Sequence, residues 1–131
     1  MPSTPCGFCD RLSGGDPDDV VASEALAVAL PETRPHASGH TVVVPRRHVA
    51  RLGQLTEAEH RALFALARRA LAELERTHSP DAFTLGMNDG PAAGQSTPHV
   101  HLHLVPRHDG DLPDPRGGIR NALPPPPPPS S

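Results

Sequence analysis

Apolar and polar positions alternate along this chain with two different periods, and the switches between them outline the elements. Val20-Val21 and Ala25–Leu30 are short apolar runs either side of Ser23-Glu24, predicting two strands joined by a tight turn. Thr41–Val44 is β-branched throughout and stops at Pro45, the pattern of a buried strand. From Thr56 the period becomes helical. Thr56-Glu57-Ala58-Glu59 has the form of a capping box, and Leu63, Phe64, Leu66, Ala67, Ala70, Leu71 and Leu74 share one broad face. Arg and Glu take the other face as far as about Thr77, and Ser79-Pro80 ends the helix. Ala82–Met87 reads as a further strand. A Gly-rich loop, Asn88–Thr97, leads into a last strand, Val100–Val105, closed by Pro106. Residues 1–19 and His108–Asn121, rich in Gly, Pro and Asp, read as loop and turn. No internal repeat is present. The sum is an α+β domain: a mainly antiparallel sheet with one dominant helix.

Composition narrows the function classes. A chain of 131 residues, 36% of them hydrophobic, suffices for one core. With three Phe, no Trp, no Tyr and a formal charge of −3, it lacks both the stacking surface and the basic face of a nucleic-acid binder. A small anionic ligand stays compatible with a locally positive pocket. The opening MPSTPCGFCD has neither a basic region nor an apolar stretch, and no apolar run approaches the ~20 residues a membrane span needs, so a cytoplasmic protein without a membrane partner is expected. Residues 122–131, with the run Pro124–Pro129, are expected to form a Pro-rich disordered tail after a domain at 1–121.

The chemistry concentrates in His99-Val100-His101-Leu102-His103-Leu104. Side chains of a strand alternate between faces, and same-face neighbours lie roughly 6.6 Å apart. Val100, Leu102 and Leu104 therefore supply the core, while three imidazoles stand in a row on the other side. Two chemistries want such a row. A metal site uses His at i and i+2. A phosphoryl or nucleotidyl transferase uses one imidazole as nucleophile and its neighbour to assist the leaving oxygen. The preceding Gly90–Thr97 favours the second, because it offers glycine amides, Gln95, Ser96 and Thr97 for phosphate oxygens and no carboxylate to complete a metal sphere.

These residues carry a family resemblance. Asn88–Arg107, with Gly-Gln-Ser ahead of His99-Val-His101-Leu-His103, resembles the signature of the histidine-triad (HIT) family. Gly39-His40, the run to Pro45 and His48 resemble its second hallmark, and Cys6-Gly-Phe-Cys9 is similar to the start of many bacterial members. The resemblance runs in order from Cys6 to about Arg120. It implies a HIT-like α+β fold, a mainly antiparallel sheet with one long helix and a short second helix, and a nucleotide hydrolase or nucleotidyl transferase. His101 would be the nucleophile, carrying a covalent nucleotidyl group, its other ring nitrogen donating to a backbone carbonyl. His103 would contact the scissile phosphate and assist departure, and His40 would help orient these imidazoles. Gly94, Gln95, Ser96 and Asn88 match phosphate or pocket positions. Eight residues before His40, where the family usually places Asp or Asn on the ribose hydroxyls, stands Glu32. Substrates implied are dinucleoside polyphosphates, nucleotidyl-sulfates or nucleoside phosphoramidates, and a homodimer is the usual assembly.

Cys6 and Cys9 admit three readings: a redox pair, buried thiols, or zinc ligands. A redox CxxC belongs at a helix start, and no helical pattern follows here, so zinc is preferred. The resemblance to zinc-bearing HIT proteins supplies the other two ligands as His48 and His99, making a closed, structural Cys2His2 site. His36, His60, His78 and His108 read as solvated, and the arginines of Pro115–Arg120 as turn residues or phosphate contacts. Two other functions stay open: a purine-nucleotide-binding sensor or scaffold with little turnover, and a catalytic zinc hydrolase using the triad as ligands.

Overall fold

The structure is a computed structural model and describes residues 6–16 and 19–124. Five strands, β1 (Ala22–Ser23), β2 (Ala27–Pro31), β3 (Thr41–Pro45), β4 (Ala82–Gly86) and β5 (Leu102–Arg107), form one sheet in the order β1-β2-β3-β5-β4. Every neighbouring pair is antiparallel. Two helices join them: α1 (Gly7–Gly14) and α2 (Glu57–His78). The predicted α+β class holds.

α2 lies on one face of the sheet. Leu63, Leu66, Ala67, Ala70 and Leu74 pack there against Ala27, Ala29, Val43, Val100, Leu102 and Leu104. The opposite face of β2 and β3 is also covered, as Val28, Leu30, Val42 and Val44 meet Phe8, Leu12 and Val20. Burial on both faces explains why Ala27–Leu30 and Val42–Val44 read as unbroken apolar runs rather than alternating ones.

α1 overturns the expectation that residues 1–19 are loop. Cys6 is its N-cap, with Sγ accepting from the Cys9 N–H at 3.4 Å, so a cysteine fills the place usually held by Ser or Asp. β1 begins one residue beyond Val20-Val21, and Glu24 N–H to the Ala27 carbonyl (3.0 Å) closes the turn to β2. β5 begins at Leu102 rather than Val100 and includes Pro106. Past Leu104 its β3 partner has ended, so a residue without an N–H is tolerated there. His99–His101 thus precede the strand, yet Val100 still points into the core. The tail expected at 122–131 lies, from residue 125 on, outside the described residues. Among those described, no helix is long and apolar enough to cross a membrane.

α2 starts as predicted. Thr56 Oγ1 accepts from Glu59 N–H (3.1 Å), and Glu59 Oε1 accepts from Thr56 N–H (2.8 Å). Glu59 is 5% exposed and also receives Arg47 through both oxygens, at 2.8 and 3.0 Å. Arg47 first, then the Thr56 amide, hold its carboxyl down to about 2. At the other end Ser79, left-handed at φ 48°, caps the helix through Glu75 O. Loss of the cap and the paired carboxylate predicts that Glu59→Ala costs about 2 kcal/mol in urea unfolding at neutral pH. A depressed carboxyl stabilises the fold above 4.5 and loses that contribution as pH falls toward about 2, so the gap between wild type and variant should close over that range. A gap independent of pH would contradict the ion pair's role.

Candidate active site

Two loops are stitched together before the histidines can meet. Val100 N–H donates to Val49 O (2.7 Å), Gln95 Nε2 to Ala50 O (2.8 Å), and Leu52 N–H to the Asp89 carboxylate (2.9 Å). These bonds bring the segment carrying His48 alongside the segment carrying His99. On the sheet, the register Val42↔His103 and Thr41↔Leu104 sets His103 beside the start of β3, where His40 sits. Gly39 makes the turn into His40 at φ 85°. A side chain there would come within 3.0–3.1 Å of the His78 ring, so His78 is a packed residue rather than the solvated one expected.

The protonation of each ring follows from its partners, because carbonyls only accept and backbone amides only donate. His99 Nε2 lies 2.8 Å from Pro45 O and must carry the proton, leaving the Nδ1 lone pair free. His101 is reversed: Nδ1 lies 2.8 Å from His99 O and carries the proton, leaving Nε2 as a base. Sequence reasoning expected such a carbonyl for His101, and the oxygen comes from His99 itself. The His36 N–H donates to His40 Nδ1 (3.1 Å), so neutral His40 is protonated at Nε2 and donates to His103 Nδ1 at 2.9 Å. His103 is left with its proton on Nε2. His36, though an exposed residue expected only to be solvated, thereby sets two other rings through its backbone.

Burial keeps this chain of rings neutral. It pushes His40 down, and it pushes His103 down to about 4, with His101 and His40 adding to the effect. Glu32, with Oε2 at 3.9 Å from His103 Nδ1, opposes the shift. Burial pushes the Glu32 carboxyl itself up, but the Arg34 amide, His40 and His103 bring it to a net lowered value. Glu32, His40 and His103 lie close enough together to suggest a metal site. The His36 amide argues against one, since it forces the His40 proton onto the nitrogen that would have to ligate.

These groups open into a cavity of about 440 Å³. Of the residues expected at the site, Glu32, His40, Asn88, Ser96, His101 and His103 line it. Gly94 and Gln95 do not. Gly94 is the left-handed end of a short 3-10 turn, and Gln95 spends its amide on Gly90 N–H and Ala50 O. Residues missed from sequence include Gly7, Phe8 and Arg11, which α1 brings over the site. The Phe8 ring centroid stands 5.0 Å from that of His101 and 5.6 Å from that of His99, and Arg11 donates to Pro31 O at 2.7 Å. The sole clue was Phe8 between the two cysteines.

Behind His101, Cys6, Cys9, His48 and His99 converge, with their ligand atoms within 4.8 Å of one another. His99 Nδ1 lies 3.5 Å from Cys6 Sγ and 3.6 Å from Cys9 Sγ, and His48 Nδ1 lies 3.2 Å from Cys9 Sγ. Tetrahedral zinc, with bonds of ~2.3 Å to sulfur and ~2.05 Å to nitrogen, sets sulfur–nitrogen edges of about 3.5 Å. The donor set, the spacing and the free His99 lone pair all fit that ion. The CxxC does stand at a helix start, contrary to expectation, so position no longer argues against a redox pair. Partial burial and the neighbouring Cys6 push the Cys9 thiol up, however, away from the thiolate that redox chemistry needs. The triad itself does not converge on one ion, because His99 faces the cysteines while His101 and His103 face the cavity.

Residues 13–110 match the HIT domain, and the chain belongs to the HIT family. It is 41% identical over 97 residues to the bifunctional bis(5'-adenosyl)-triphosphatase/adenylylsulfatase of Arabidopsis thaliana, covering 74% of this chain and 54% of that protein. It is 39% identical over 87 residues to the asymmetrical bis(5'-nucleosyl)-tetraphosphatase of Schizosaccharomyces pombe, covering 66% and 48%. The chain thus spans about half the length of these two relatives. The crystal structure of a Zn-bound histidine triad family protein from Mycobacterium smegmatis superposes with a TM-score of 0.72 at 30% identity, covering 89% of each chain.

The histidine environment predicts a pH effect on stability. Between 6.5 and about 4 the unfolded chain takes up a proton that folded His103 refuses, so stability falls as pH falls through that window. Melting temperature measured from about pH 7 to about pH 5 should drop, and His103→Asn should flatten the slope. An unchanged slope in the variant would contradict the buried, neutral state of this ring.

Proposed function

We propose that this chain is a nucleotidyl hydrolase that cleaves dinucleoside polyphosphates through a nucleotidyl-His101 intermediate. The observation that carries the reading is the His101 Nδ1–H bond to His99 O, which leaves Nε2 with its lone pair at the cavity. The first step forms a bond from Nε2 to the α-phosphorus and breaks the bond from that phosphorus to the bridging oxygen, which departs with the electron pair. His103 Nε2–H donates to the oxygen on which charge builds, and His40 holds the opposite side of that ring. Water then attacks phosphorus, the P–N bond breaks with its electrons returning to Nε2, and the water's proton passes to solvent. Glu32, capped by the Arg34 amide at 3.2 Å, would accept from ribose hydroxyls. Asn88 and Ser96 would contact phosphate oxygens. The similarity to a triphosphatase and a tetraphosphatase supports this substrate class over phosphoramidates.

Cys6, Cys9, His48 and His99 would hold a structural zinc, which supplies a cross-link between the start of α1 and the active-site segment. No chemical step needs it. A homodimer is the usual assembly in the family, and among the described residues no strand pairs with the outer edge of β4, where Leu85 is exposed.

His101→Ala should lower AMP release from diadenosine triphosphate by more than about 10³-fold. Mass spectrometry of acid-sparing, rapidly quenched wild type should show one added adenylyl group. Wild type that releases no AMP above the His101→Ala control would instead favour the nucleotide-binding sensor, and turnover that survives the substitution would remove His101 as the nucleophile. Metal analysis of the purified chain should find about one zinc, lost in Cys9→Ala and His99→Ala together with melting temperature. Zinc below about a tenth of an equivalent in wild type would sink the metal assignment.

A further inference from the structure

His103 lines two cavities, not one. The catalytic cavity extends from it toward β2, where Glu32 lies, and a second, of about 790 Å³, extends over β4. Since β5 stands between β3 and β4 in the sheet, the two spaces lie on either side of the triad. His36 and Asn88 also border both, so the two adjoin along these side chains.

The second cavity is roofed by a segment whose purpose composition did not reveal. Gly117 and Gly118 take consecutive positive φ values of 94° and 46°, which fold the chain back after Pro115. Arg120 N–H donates to Gly117 O (2.8 Å), and Arg116 turns away to pair with Asp114. Ile119 is thereby laid over β4, its Cδ1 3.2 Å from where a Gly86 Cβ would stand, while remaining 61% exposed. Met87 and Val105 face the same space, with Asn88 and Asn121 as its amides, and no Lys, Arg, Asp or Glu borders it.

We infer that this cavity is the subsite for the nucleoside of the leaving group. The inference rests on the proposed hydrolase and specifies its substrate. A departing sulfate or bare phosphate would seek cations, which the lining lacks. A base and ribose would instead find apolar faces, two amides and a volume in the range of small-molecule sites. The phosphates would span the two cavities past His101 and His103.

The test compares kcat/KM for diadenosine triphosphate and adenylyl sulfate, measured on the full chain. Both would deliver the same adenylyl group to His101, so damage to folding or to the nucleophile cancels in their ratio. Ile119→Asp should lower the ratio, triphosphate over sulfate, by about tenfold or more. A ratio that does not move overturns the subsite, including the case where the substitution changes oligomeric state alone and a second chain covers this face. If wild type hydrolyses neither substrate above His101→Ala, the hydrolase reading fails, and binding then tests the subsite separately. In the His101→Ala chain, calorimetry should find diadenosine triphosphate bound about tenfold tighter than adenosine triphosphate, and Ile119→Asp should remove that advantage. Equal affinities in the parent overturn it.

Discussion

Two carbonyl oxygens, those of Pro45 and His99, decide what the histidine segment can do. Each accepts from one ring nitrogen and so fixes the lone pair of the other: His99 offers Nδ1 toward the cysteines, and His101 offers Nε2 toward the cavity. Identical side chains two residues apart are turned to different chemistry by the backbone behind them. The remaining pair is fixed by a donor instead, since the His36 amide orders His40 and, through it, His103. Burial then holds His40 and His103 neutral, so the direction of the bond between them persists at physiological pH rather than being scrambled by protonation.

The same segment ties the molecule's two faces together. Val100, Leu102 and Leu104 are part of the core beneath α2, while the rings between them meet Phe8 of α1 on the other side. α1 has eight residues and only Phe8 and Leu12 on the sheet, too little apolar surface to hold it unaided. The Cys6–Cys9–His48–His99 cluster lies where a cross-link would hold its first turn against the active-site segment. Arg11, reaching Pro31 O, fastens the next turn. The roof of the cavity at His101 and His103 therefore depends on contacts made outside that cavity.

Much of this was legible in the sequence. The period of two across residues 99–104 and the β-branched run at 41–44 gave the sheet and its faces, and the capping box at Thr56 gave the start of α2. The cluster at Cys6, Cys9, His48 and His99 and the meeting of His40 with His103 followed from matching motifs at great sequence separation. The resemblance implied a short second helix, but periodicity could not place α1, because its glycines and its short apolar stripe carry almost no helical pattern and its N-cap is a cysteine. Gln95 could not be placed because a side-chain amide serves a loop as readily as a phosphate; here it bonds Gly90 and Ala50. The influence of His36 was hidden for a different reason: it acts through its backbone N–H, which every residue but proline has.

The central claim, that backbone partners divide the histidines between two tasks, is tested most directly by ¹⁵N–¹H multiple-bond NMR of the imidazole rings near neutral pH. The account predicts His101 protonated at Nδ1, and His99, His40 and His103 protonated at Nε2. A His101 protonated at Nε2, or a doubly protonated His103 near neutrality, would contradict it.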